Sequence, residues 1–114
     1  NIFVDFHAEA TAEKKAMQFH ISGRVTACVG THTHIRTADA QIKKGTAYIT
    51  DLGMTGVTDS ILGLDEEAIL PRFKAYSFTR NLYKRGAPYL NGAICEFDPK
   101  TGSATKIHGI SEKM

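Results

Sequence analysis

The sequence predicts an α/β fold, and three observations predict it. A strand-like run, Ile2-Phe3-Val4-Asp5-Phe6, is followed by a helical stretch and then by a second apolar run, Val25 to Val29. A short pair of strands turned by a glycine follows in mid-chain. At the carboxyl end, two alternating runs enclose Asp98-Pro99-Lys100-Thr101-Gly102. The 114 residues amount to one domain, enough for one hydrophobic core and not for two.

The first run is read as a strand that closes at His7. Ala8-Glu9-Ala10-Thr11 then leads into a helix of about three turns, with Thr11 as N-cap and Glu13 in the first turn, where its carboxylate meets the positive end of the helix. Ala12, Ala16 and Phe19, with Met17 and Ile21, are expected to form the stripe that packs on the core, and Gly23 stops the helix. Strand, helix and strand in this order make a βαβ unit, so the first two strands are expected to run parallel, with their carboxyl ends on one side. Thr37-Ala38-Asp39 is a polar turn, and a hairpin runs from Gln41-Ile42 across Lys44-Gly45 to Ala47-Tyr48-Ile49-Thr50. The glycine-punctuated loop Asp51-Leu52-Gly53-Met54-Thr55-Gly56 is placed to approach the same crevice. Asp65 to Leu70 opens a second helix with acidic residues at its positive end, and Pro71 leaves its length open. From Phe73 to Pro88 no period dominates. Leu90 to Phe97 and Ala104 to Ile110 close the chain as a hairpin.

The composition, 42% hydrophobic with a formal net charge of +2, is that of a globular protein and carries too little positive charge to indicate nucleic-acid binding. Lys14-Lys15, Lys43-Lys44 and Lys84-Arg85 are dispersed pairs, read as solvated faces. No signal peptide and no apolar stretch of bilayer-spanning length is present, so the expected address is cytoplasmic and no membrane partner is expected. Cys28 and Cys95 lie in strand-like runs where a small thiol packs well, and their spacing makes no zinc motif and indicates no disulfide. The sequence has no phosphate-binding glycine-lysine loop, no Gly-x-Ser-x-Gly elbow and no histidine adjacent to a cysteine, which argues against nucleotide-loop, serine-hydrolase and thiolate chemistry. The chain opens directly on strand-like Asn1-Ile2-Phe3-Val4 without an initiator methionine, so it is expected to be a piece of a longer protein whose remainder adds sheet neighbours and ligands. A first strand left unpaired would be an edge open to self-association.

The most informative stretch is Gly30-Thr31-His32-Thr33-His34, where the second apolar run ends in two imidazoles one residue apart. A strand provides a rigid edge, and the turn beyond it aims side chains into the crevice at the strand's carboxyl end. Gly30 suits such a turn, because without Cβ it accepts positive φ and close backbone approach. In an extended segment His32 and His34 share a face, whereas in a looser turn they diverge toward two neighbouring ions. His7, at the end of the first strand, reaches the same edge of a parallel sheet. Neutral imidazole suits Zn, Fe, Mn or Cu, so these residues alone do not name the metal. His20, in a helix, and His108, in a hairpin strand, are read as structural.

Three blocks carry a family resemblance. They are Asp5-Phe6-His7-Ala8-Glu9-Ala10-Thr11 followed by Glu13-Lys14, Gly30-Thr31-His32-Thr33-His34 with Thr37-Ala38-Asp39, and Tyr48-Ile49-Thr50-Asp51-Leu52-Gly53-Met54-Thr55-Gly56. In this order and spacing the chain resembles the carboxy-terminal half of the YmdB-like family of calcineurin-type metallophosphoesterases. The resemblance implies a two-sheet sandwich flanked by helices, with residues 1–114 as the carboxy-terminal half of a single metallophosphoesterase domain. It also implies a centre of two divalent ions, Fe or Mn, in which His7 and His32 bind one ion and His34 the other. The implied reaction is hydrolysis of a small phosphodiester, in particular a 2′,3′-cyclic nucleotide.

No residue of this chain is assigned a catalytic role. Asp5, Thr31, Thr33 and Asp51 are candidates for orienting the ligands or holding the loop, and Glu9 and Asp39 are read as structural charges nearby. The family's amino-terminal half supplies the first aspartate, the bridging acidic residue, an asparagine ligand and the histidine given a proton-transfer role. None of them is found in this sequence. Three neutral imidazoles do not offset the repulsion between two cations, so the isolated chain is expected to be a poor enzyme until the missing half is restored. The competing expectation is a non-catalytic metal-binding or partner-binding module with an incomplete site. The resemblance also implies a homo-oligomer as a further possible partner state.

Overall fold

The computed structural model describes residues 1–75 and 78–114. In chain order it contains β1 (Phe3–His7), α1 (Thr11–Ile21), β2 (Ala27–Thr31), β3 (Gln41–Lys43), β4 (Thr46–Ile49), α2 (Glu66–Ala75), β5 (Tyr89–Phe97) and β6 (Ala104–Lys113). Four strands form one sheet in the order β1-β2-β4-β3, and β5 and β6 form a second, two-stranded sheet. β1, β2 and β4 are mutually parallel, with Phe3 to His7 opposite Ala27 to Thr31, and β3 returns antiparallel to β4. The expected α/β class and two-sheet arrangement are therefore present. The carboxyl ends of three parallel strands meet at one edge, which is where the histidines lie.

The two faces of the central strands are covered by different partners. Ala27 and Ala47, neighbours across β2 and β4, pack with Ala104 of β6, and Cys95, Phe97 and Ile107 close around them. Small side chains at both positions let the terminal hairpin approach the sheet. Cys28 and Tyr48 are the next pair along and, by strand alternation, point to the other face. There the Lys15 ammonium of α1 lies 4.9 Å from the centre of the Tyr48 ring. With both faces covered, all four residues of β4 are buried. Lys44 and Gly45 both have positive φ, 51° and 77°, as a two-residue hairpin turn between twisted strands requires.

Several details differ from the sequence expectations. The N-cap of α1 is Ala10, without a side-chain cap, and Thr11 is already helical. The apolar stripe is not the buried face. Lys14 and Gln18 point inward, whereas Ala12 and Ala16 are not buried and Phe19 is 62% exposed, with the Lys43 ammonium 3.4 Å from its ring centre. The helix is seated by an ion pair under it, so Lys14 belongs to no solvated face. β2 starts two residues later than expected and includes Gly30 and Thr31, because its pairing with β1 continues to His7 opposite Thr31. Gly30 consequently serves close approach rather than positive φ. α2 continues through Pro71 to Ala75, and the Asp65 carboxylate accepts the Glu67 and Ala68 N–H groups at its start. Cys28 and Cys95 are both free thiols. Among the described residues no helix is long and apolar enough to cross a membrane.

Candidate metal centre

His7 is the last residue of β1 and lies opposite Thr31, the last residue of β2, with His32 next in the chain. This register builds a hydrogen-bonded row. The Thr31 hydroxyl donates to the Asp5 carboxylate at 3.2 Å, since an ionised carboxylate only accepts. The same hydroxyl oxygen lies 3.1 Å from His7 Nδ1 and must therefore accept from it. The proton is thus placed on Nδ1 of His7, and the lone pair on Nε2. That lone pair faces His32 Nδ1 at 3.2 Å, the two rings standing nearly perpendicular at 75°. Two nitrogens bound to one ion at a zinc-like distance of about 2.0–2.1 Å stand about 2.9–3.4 Å apart. The His7–His32 pair fits that separation, and the other ring nitrogen of His7 is held by a hydrogen-bond partner, as metal-binding imidazoles generally are.

His34 turns elsewhere. Its Nδ1 lies 3.4 Å from the Leu62 carbonyl, and its own carbonyl accepts the Met54 N–H at 3.0 Å. The structure thus brings His7 and His32 together and gives His34 a different neighbour. Among the described residues, no three His, Cys, Asp or Glu side chains gather as a metal set. His20 and His108 lie exposed on α1 and β6.

The turn that carries His32 and His34 is strained. Both residues have positive φ, 125° and 65°, a region that costs a non-glycine residue on the order of 1–3 kcal/mol and persists only where the surroundings enforce it. Asp51, just past the end of β4, enforces it. One carboxylate oxygen accepts the Thr33 N–H at 2.9 Å and the Lys14 ammonium at 2.8 Å, and the other accepts the Gly53 N–H at 2.9 Å. The Thr33 hydroxyl donates to the Ile35 carbonyl at 3.0 Å. Asp39 performs a similar task one layer out, bonding the Thr37 hydroxyl and the Thr50 N–H and hydroxyl, while Glu9 is exposed. Lys14 was not recognisable from sequence, because a buried lysine and a surface lysine are the same residue. Its only signal is the side-chain-free Gly30, over which its stem passes.

Burial pushes the Asp39 and Asp51 carboxyls upward, but their hydrogen bonds outweigh it and hold both below the usual carboxylate range. For Asp39 the lowering comes from Thr37 and Thr50, and for Asp51 from Lys14, Thr33 and Gly53. A carboxyl lowered in the folded state contributes stability that is complete above its unfolded value of about 3.9 and is lost as pH falls through its folded value. Asp39→Asn is therefore expected to flatten the fall of thermal stability below about pH 4. A wild-type slope in that variant, measured by circular dichroism, would show that Asp39 carries none of the acid sensitivity.

The model of the YmdB-like protein family matches residues 1–110. The chain is 52% identical over 110 residues to the 2′,3′-cyclic-nucleotide 2′-phosphodiesterase of Bacillus subtilis (strain 168), covering 96% of this chain and 42% of that one. A crystal structure described as a novel phosphatase from Mycoplasma pneumoniae superposes with a TM-score of 0.89 at 39% identity, covering 96% of this chain and 40% of that one. A crystal structure of a hypothetical protein from Thermus thermophilus gives a TM-score of 0.88 at 37% identity, with 97% of this chain and 44% of that one covered. The chain therefore spans about two-fifths of the length of the relatives it matches.

Proposed function

The chain belongs to the YmdB-like protein family, and from that premise we propose that residues 1–114 are the carboxy-terminal half of a single metal-dependent phosphodiesterase domain. The substrate class is a small phosphodiester, 2′,3′-cyclic nucleotides first, following the named activity of the Bacillus subtilis relative. The observation that carries the reading is the His7 Nε2 to His32 Nδ1 separation of 3.2 Å at the carboxyl ends of parallel strands. The half-domain organisation is supported by the share of its relatives that the chain spans. It is also supported by β1, which stands at the end of the four-stranded sheet and, among the described residues, pairs with β2 alone, leaving an edge that an adjoining strand can cover. Two free cysteines suit a reducing compartment, and the cytoplasm is the proposed address.

Bound at this edge, two divalent ions, Fe or Mn, would lower the pKa of a water and neutralise charge on the phosphoryl oxygens. In this chain His7 and His32 would hold the first ion and His34 the second. Thr31 keeps the proton on His7 Nδ1, so that Nε2 stays a donor to the ion, and Asp5 orients Thr31. The proton donor to the leaving oxygen and the bridging carboxylate belong to the amino-terminal half, which leaves the isolated chain inactive.

In the full-length protein, His32→Ala is expected to lower metal content and hydrolysis of bis-p-nitrophenyl phosphate together. The loss should be roughly a hundredfold or more, beyond the effect of removing a mere outer partner. Normal metal content in that variant, measured by elemental analysis, would refute the assignment. The absence of a three-residue donor set among the described residues favours a second reading, a non-catalytic module with an incomplete site. Turnover on joining the chain to its amino-terminal half decides between the two.

A further inference from the structure

The buried ion pair beneath the histidine turn has been given no task in metal binding so far. Lys14 and Asp51 are each 1% exposed and meet at 2.8 Å. Lysine and aspartate are almost never buried without a reason, since stripping water from two charges costs more than their attraction commonly returns. Here the pair connects α1, β4 and the turn after β2. The lysine reaches across Gly30, whose absent Cβ would lie 3.3 Å from Lys14 Cδ. The carboxylate that it neutralises accepts the N–H of Thr33, the residue between the two histidines, and the N–H of Gly53 in the following loop. His32 and His34 hold left-handed φ on either side of that anchored N–H. Without the lysine, the carboxylate would sit buried next to two amide donors but with its charge uncompensated. Without the carboxylate, nothing would hold the Thr33 N–H inward against the strain of its neighbours.

We propose that Lys14 and Asp51 are positioning residues for metal capture: the pair locks the Thr33 N–H and thereby presents His32 and His34 in their strained, ligand-ready conformations. The inference rests on the metal-centre reading, adds Lys14 to it and ties the anchoring by Asp51 to metal affinity. Its specific content is that anchoring and folding are separable. In Lys14→Met/Asp51→Leu the buried site is neutral again, so the stability that Asp51→Leu alone loses to a stranded ammonium should return. A leucine, however, has no acceptor where the carboxylate had two oxygens. The Thr33 and Gly53 N–H groups both lose their partner.

The test uses the full-length protein and reads three quantities in wild type, Lys14→Met, Asp51→Leu and the double variant: thermal midpoint, Mn²⁺ dissociation constant, and hydrogen exchange of the peptide spanning residues 30–36. The expected result for the double variant is a midpoint above that of Asp51→Leu alone, a dissociation constant raised about tenfold to a hundredfold, and faster exchange at residues 30–36. Wild-type affinity in a stable double variant would overturn the proposal, as would affinities that simply follow the midpoints across the set. If wild type itself takes up no Mn²⁺, the metal-centre reading fails separately. Exchange at residues 30–36 then decides the anchoring part, faster exchange sustaining it and unchanged exchange overturning it.

Discussion

Gly30→Ala is expected to cost more stability than any other single-methyl addition at a glycine of this chain. A Cβ built on Gly30 would lie 1.8 Å from the Thr50 carbonyl oxygen and 2.8 Å from its carbon. Both are backbone atoms at the end of β4, so no side-chain rotation relieves the clash. β2 and β4 would have to move apart where Leu52 N–H bonds the Gly30 carbonyl at 2.9 Å. Inserting a methylene into a packed interior usually costs about 1–3 kcal/mol, and a clash with fixed backbone belongs at or above the top of that range. With domain stabilities of roughly 5–15 kcal/mol, the variant should lose on the order of 10 °C or more in its thermal midpoint, or fail to accumulate as soluble protein. Gly56→Ala is the matched control, because its Cβ would meet only the Met54 sulfur, at 4.0 Å. Equal midpoints for the two variants would show that β2 and β4 do not approach this closely at Thr50.

Breaking the Lys14–Asp51 pair should produce the other large effect, and an unequal one. Removing one partner of a buried ion pair costs about 3–5 kcal/mol, because the survivor stays charged in an apolar surrounding. Lys14→Met leaves a carboxylate that still accepts two backbone N–H groups, and should fall near the lower end. Asp51→Ala strands the ammonium and orphans the Thr33 and Gly53 N–H groups, and should reach the upper end or beyond. Chemical denaturation of the two variants measures the difference directly. Equal losses would mean that the carboxylate contributes nothing beyond its charge, contrary to its role as the anchor of both loops.

Much of the fold was legible because its signals are local. The run from Ile2 to Phe6, the helix stopped at Gly23 and the second strand predicted the parallel βαβ unit. Lys44-Gly45 marked a turn that needs two positive φ values. Asp98-Pro99-Lys100-Thr101-Gly102 marked the last hairpin, whose strands do pair, with an irregularity at Glu96 and Phe97. The face of α1 was misread because helical periodicity shows where apolar residues line up, not what lies beneath them. An aspartate 37 positions away turns Lys14 inward, and Phe19 is left at the surface.

The candidate site divides in the same way. From sequence alone, the strand-helix-strand order and the placement of His7, His32 and His34 at strand ends predicted that the three would lie at one edge, since parallel strands must end on one side. Sequence also determined the class of the fold and the chemistry available to it, because residue type sets which groups can bind a cation. Only the tertiary structure decided which histidines face each other, which nitrogen of His7 carries the proton, and that a lysine lies buried under the turn. Those outcomes depend on distances of about 3 Å between residues far apart in the chain. A single sequence carries no record of such distances until packing has selected which polar groups lose water and must find one another.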